Sequence, residues 1–252
     1  MMIRAAVLGV ALALSATVVR AQSVGEHVAA GDRDHVAMNA ASALKHYEAA
    51  IAAEPKNYDA LWKASREEVD LGEAAKGDEA KQHYKNAELY ARRAVEAMPT
   101  DAEGHFLLAR ALGRMALTLG PKDRVKYAGD VRAHALEALK LDPNHDGAMH
   151  VIGMWHYNVM SLSGIARMFA KTFLGGQVFN SASWDDAQRY MERSVAAAPN
   201  RITHRLDLGK VYAGRGDKAK AREQWEQALR LQATDYNDRA YKTEAEALLR
   251  KL

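Results

Sequence analysis

Cationic and aromatic side chains recur at fixed offsets from small residues along this chain. Arg66, Arg110 and Lys210 directly follow Ser65, Ala109 and Gly209; Arg114 follows Ala109 by five positions, and Trp62 and Phe106 precede Ser65 and Ala109 by three. Around Gly153 the same counting selects His150, Met154 and Tyr157. It also adds Val28, Asp32 and His35 near Gly31, Val69 near Ser65, and Leu206 near Gly209. Guanidinium and ammonium groups hold a carboxylate by charge-assisted hydrogen bonds, while aromatic rings anchor an apolar side chain beside it. If these offsets share one surface, they form a groove for a protein or peptide that is acidic at the point of contact. The plainer alternative is a solvated helix face, where arginine is common.

Histidine offers a second chemistry. The stretch DPNHDGAMHVIGMWHY, residues 142–157, holds His145, His150 and His156 near Asp142 and Asp146. A helical zinc site needs ligands one turn apart on one face, as in HExxH. His150 and His156 are six apart, on different faces, and no HExxH occurs. These histidines are therefore expected to pack or to line the groove, with a metal-dependent hydrolase kept as an alternative. There is no GxSxG elbow and no glycine-rich phosphate loop. The absence of cysteine excludes disulfides, thiolate metal sites and cysteine nucleophiles. The expectation is a protein without catalysis, metal or cofactor. Arg215-Gly216-Asp217 spells an adhesion tripeptide but falls where two helices must turn.

The elements that would position these residues are marked by proline. Pro55, Pro99, Pro143 and Pro199 recur at intervals of 44, 44 and 56 residues, each followed within two positions by Asn or Asp. Proline stops a helix because it lacks the amide proton and crowds the preceding turn. Upstream of each stop, apolar or small residues fall at i, i+4 and i+7: Ala43, Tyr47, Ala50; Ala87, Ala91, Ala94; Val131, Ala135, Ala138; Ala187, Met191, Ser194. Ala221, Trp225 and Ala228 repeat the pattern. That spacing is one face of an α-helix. Each such helix has a partner before it carrying Gly31, Ser65, Ala109, Gly153 or Gly209. Small residues let paired helices approach, and the aromatics are expected to fill the space between neighbouring hairpins.

Leu208-Gly209, Tyr212, Ala221, Trp225 and Ala228 resemble the tetratricopeptide repeat, a helix-turn-helix unit of about 34 residues. The resemblance implies an all-α solenoid, a right-handed superhelix of antiparallel helix pairs. The expected units are approximately 24–57, 58–101, 102–145, 146–201 and 202–234, with a solvating capping helix over 235–252. The first helix of each pair lines the concave wall, where the cationic and aromatic offsets fall. Units two and three are longer, which is assigned to longer helices and an LTLGPKDR loop at Pro121. DALWKASR (59–66), GHFLLARALG (104–113), GMWHYNVMSLSGIARMFAKTFLGG (153–176) and DAQRYMERSVAAAPN (186–200) together resemble the regulator of microtubule dynamics family. The resemblance runs from about Tyr58 to Leu252 and implies a scaffold or adaptor role, with no catalytic residues to transfer.

Two segments stand outside the repeat pattern. Unit four carries an insertion, about Asn158 to Ser183, in which Leu162, Ile165, Ala166, Phe169 and Phe173 form one stripe with Arg167 and Lys171 off it. The stripe is expected to pack back on the array; a membrane-surface adaptor working through 160–174 is the alternative. After it, Ser183 is expected to cap a helix whose first turn holds Asp185 and Asp186. At the other end, Arg4, an uncharged run from Ala5 to Val19 and the small residues of Val19-Arg20-Ala21 read as a secretory signal over 1–21. The run is shorter than the roughly 20 residues of a spanning helix. Its removal takes away Arg4 and Arg20 and no acid, lowering the formal charge from +3 to +1. Such a balanced chain does not call for nucleic acid, and a periplasmic or secreted location is expected.

Overall fold

Proline and its neighbours punctuate the chain as their chemistry dictates. The computed structural model describes residues 24–173 and 176–252; the leader expected over 1–21 lies outside them, as does the side chain of Phe173. The chain forms α1 (24–36), α2 (Ala40–Ala53), α3 (Tyr58–Ala74), α4 (Gly77–Ala97), α5 (Ala102–Leu117), α6 (Pro121–Leu141) and α7 (Asp146–Met160). There follow α8 (Gly164–Phe173), a 3-10 helix (Gly176–Ser181), α9 (Trp184–Ala197), α10 (Ile202–Gly214), α11 (Lys218–Arg230) and α12 (Asp238–Leu249). No strand occurs among the described residues. Just past the proline stops, polar side chains begin the next inner helix: Asn57 accepts from Ala60 N at 3.0 Å, Asp101 from Glu103 N at 2.9 Å, and His145 Nδ1 from Ala148 N at 3.2 Å.

The pairs α3–α4, α5–α6, α7–α9 and α10–α11 pack face to face, and each packs on the next. The result is an all-α tetratricopeptide-repeat solenoid. Crossing points show why size alternates. A Cβ added to Gly31 would stand 2.4 Å from the Tyr47 ring, one on Gly153 2.8 Å from Met191, and one on Gly209 2.2 Å from Trp225 Nε1. Trp225 Nε1 donates to the Leu206 carbonyl at 2.9 Å. Tyr47 and Trp225 thus fill space within their own hairpin, directly over its glycine, and not between hairpins as expected from sequence. The ring occupies the volume that the missing Cβ leaves. Tyr212 does lie between hairpins as expected, donating to Glu192 at 2.7 Å, and Tyr58 does the same in donating to Asp101 at 2.5 Å.

Two local readings change. Pro121 is the first residue of α6, where its missing amide costs nothing, so the unit-three loop is only Thr118–Gly120. Of the stripe expected to pack on the array, Leu162, just before α8, does pack on the core, whereas Ile165, Ala166 and Phe169 are exposed, and Ala170 is the buried residue of the helix. The 3-10 helix folds back so closely that a Cβ on Gly176 would meet the Ala170 carbonyl at 2.9 Å, and its Phe179 is buried edge-on to Trp155. Phe179 and Ala170, with Leu162, supply the packing assigned to the stripe. The Arg215–Asp217 turn has Gly216 at φ +88° and Asp217 capping α11, and Ser183 accepts from Asp186 N at 3.0 Å to cap α9.

Gly209→Ala is expected to destabilise the chain by about 1–3 kcal/mol, because the added methyl forces the Trp225 ring off its site. Gly129→Ala in α6, where a Cβ meets nothing within 4 Å, is expected to stabilise by about 0.5–1 kcal/mol. Urea unfolding of the two variants beside the parent chain checks both signs.

Candidate functional site: the inner wall

Helices α3, α5, α7 and α10 touch in that order and form the inner wall. Nine of the fourteen residues selected by offset lie along two adjoining cavities, of about 350 and 160 Å³, and His35 reaches the smaller of them. Met154, Tyr157 and Lys210 line the larger, Trp62, Arg66 and Phe106 the smaller, and Arg110, Arg114 and His150 line both. Val69 and Leu206 are instead fully buried in the cores between helices; counting by offset carried them one step past the wall. The larger cavity is walled by Ala109, Gly113, Val131, Val151, Trp155 and Val159 from α5, α6 and α7, and its polar residues come from α5, α7 and α10, with Arg124 from α6.

The wall's cations already hold carboxylates of the chain. Arg110 bonds Asp70 at 2.7 Å and Glu73 at 3.1 Å, and Arg114 bonds Glu73 at 2.8 Å. Tyr241, from α12, donates its hydroxyl to the same Glu73, and Asn237 donates to the Asp70 carbonyl at 2.9 Å. Burial would raise Glu73, but the Arg114 and Arg110 guanidiniums overcome it and hold the carboxyl below its ordinary range. Asp70 goes the other way: burial pushes it up to about 6 despite Arg110. Lys210 bonds Asp207 at 2.8 Å and Glu244 of α12 at 2.9 Å, and His150 bonds the other Asp207 oxygen at 2.8 Å. Lys210 and His150 outweigh burial and hold Asp207 well below the usual carboxylate range. At the far end Arg66 lies over the Trp62 ring at 5.2 Å and bonds Glu67 at 2.8 Å, which also pairs with His35.

The offsets missed these acids and the C-terminal residues. Asp70 carried a usable signal, since it stands five after Ser65 just as Arg114 stands five after Ala109. Asn237, Tyr241 and Glu244 carried none, because their partners are distant in sequence. The expected solvating cap is a third layer on the wall.

The histidines separate into different tasks. His145 caps α7 and pairs with Glu103 at 3.1 Å, His150 stacks on His204 at 4.8 Å, and buried His156 accepts from Ser183 N at 3.2 Å. No group of three or more His, Asp or Glu among the described residues is placed to hold a metal ion. Ser194 Oγ stands 2.9 Å from His204 Nδ1, and His204 Nε2 lies 3.7 Å from Asp146, the order of a hydrolytic triad. Ser194 and His204 are 0% and 3% exposed, and the hydroxyl donates to the Asp146 carbonyl, so no substrate reaches it.

The family model for regulator of microtubule dynamics protein 1-3 matches residues 28–252. The chain belongs to that family. The mouse regulator of microtubule dynamics protein 1 is 25% identical over 199 residues, which cover 78% of this chain and 65% of the mouse protein. The Caenorhabditis elegans protein of the same name is 25% identical over 193 residues, 77% of this chain and 84% of that one. This family member thus spans less than two thirds of the mouse relative's length. A thermophilic tetratricopeptide repeat protein from Thermus thermophilus superposes with a TM-score of 0.65 at 17% identity, over 89% of this chain and 99% of that one, so the two share the fold.

Arg110→Ala is expected to destabilise this family member by about 3–5 kcal/mol, because Asp70 and Glu73 lose a buried counter-charge. Its urea midpoint measures the loss. His204 gives a separate test. Burial, with His150 and Arg201 nearby, keeps it neutral well below the ordinary value of 6.5. As pH falls through 6.5 the unfolded chain takes a proton that the folded chain refuses, so His204 destabilises the fold on the acid side. His204→Gln is expected to flatten stability against pH, by about 1.4 kcal/mol per unit between about pH 6.5 and 5. His145, raised overall by Glu103 despite burial, has the opposite sign but is common to both chains.

Proposed function

We propose that this protein is a non-catalytic, exported scaffold that binds a protein or peptide segment on its inner wall. The observation that carries the reading is the cavity of about 350 Å³ between α5, α6 and α7, apolar along its length and bordered by Arg110, Arg114, His150 and Lys210. A site of that size and polarity suits an apolar side chain inserted beside an acidic group. The wall cations, held by Asp70, Glu73, Asp207 and Glu244, would exchange part of that pairing for the ligand's carboxylate. Repeat architecture and family membership both favour an adaptor, although fold alone does not name a partner. The microtubule in the relatives' name is not transferred.

A photo-crosslinking residue at Met154, with Arg222 on the exposed side of α11 as control, tests this in the cells that make the protein. The cavity should yield a discrete crosslinked partner and the control none. Gly113 lines the cavity, and a Cβ there meets only Val131, at 4.0 Å. Gly113→Leu should fill the cavity and abolish the crosslink. An unchanged pattern in that variant, or equal crosslinking from Arg222, would refute the assignment.

A further inference from the structure

The insertion turns its apolar side toward solvent. Ile165 is 78% exposed and Met168 62%, and Phe169 is half exposed on the same face. The opposite side, with Ala170, carries the packing. Water-facing helices place polar residues outward, so this helix is inverted unless something else covers it. Charge indicates what. From Gly147 to Trp184 there is no Asp or Glu; of the two formal charges, Arg167 lies on the packed side and donates to the Met160 carbonyl, and Lys171, one turn after Met168, stands at the edge of the exposed face.

We propose that α8 lies on an anionic phospholipid surface, with Ile165 and Met168 entering the headgroup boundary and Lys171 beside the lipid phosphates. This face is distinct from the inner wall, so either assignment stands without the other. A second copy of the chain fits poorly. A two-fold contact through α8 would bring Lys171 toward its own image with no acid in the segment to answer it. A protein partner would need roughly 800 Å² of complementary surface on each side, whereas one ten-residue helix offers a narrow strip. A lipid interface demands no shape match; it takes its affinity from a few inserted side chains and from cations near the headgroups. No helix among the described residues is long and apolar enough to cross a membrane, so the contact is to the surface.

The chain has no cysteine, so Met168→Cys carries a single environment-sensitive fluorophore at this face, and Arg222→Cys carries one away from it. Both full-length chains are titrated with vesicles of phosphatidylglycerol mixed with phosphatidylcholine, and with phosphatidylcholine alone. The label at 168 should shift to the blue with the anionic vesicles, while the label at 222 stays unchanged. Adding Lys171→Ala should weaken partitioning about fivefold, and adding Ile165→Glu should remove the shift. Absence of a shift at 168, whether or not the chain floats with the vesicles, overturns the proposal, because attachment through another segment leaves that label in water. A shift that grows with protein concentration without vesicles assigns the face to a second copy and also overturns it.

Discussion

The contact of Tyr241 and Asn237 with α3 is the constraint on which the inner wall depends. Elsewhere each helix pair covers its neighbour, as in any repeat array, and cohesion runs from one pair to the next. The Tyr241 hydroxyl reaches Glu73 across 168 positions of sequence, and the Asn237 amide reaches the Asp70 carbonyl across 167. These bonds bring the end of the array back to its second pair. Without them Glu73 would face Arg110 and Arg114 across an open groove. With them, it is a buried carboxylate satisfied by two guanidiniums and a phenol. Such a cluster is stable only when complete, because removal of one member strands the others in low dielectric.

A second tie runs parallel to the first. His150 on α7, Asp207 and Lys210 on α10 and Glu244 on α12 form one chain of hydrogen bonds along the wall. Both ties end on the same terminal helix, which is why its removal or displacement would be felt on all four inner helices, α3, α5, α7 and α10, together. The wall is therefore preorganised, with its cations fixed in place before any ligand arrives. Recognition then rests on shape in the apolar cavity and on redistribution among existing ion pairs, in contrast to free arginines awaiting an acidic peptide.

What the sequence disclosed follows the range of the forces involved. Helix ends were legible because proline and the capping residues act within a turn: α2, α4, α6 and α9 end at Ala53, Ala97, Leu141 and Ala197, just before the four prolines. Crossing points were legible because Gly31, Gly153 and Gly209 leave a gap that a large neighbour must fill. Pro121 misled because proline has two local meanings, a stop and a first-turn residue. The partners of Arg110, Arg114 and Lys210 were not legible, since charge at a given offset says where a side chain points and nothing about which acid meets it. The direction of α8 was hidden for a related reason: periodicity shows that a helix has an apolar side, but the packing of Gly176 on Ala170 decides where that side faces.

Native-state hydrogen exchange on the Tyr241→Phe chain tests the central claim most directly. Removing one hydroxyl leaves the local packing of α12 on α10 and α11 in place and deletes its bond to Glu73. If the closure couples the ends of the array, amide protection in the C-terminal half of α3 falls together with that of α12. Loss of protection in α12 with α3 unchanged would contradict the account and leave the solenoid a string of independent pairs.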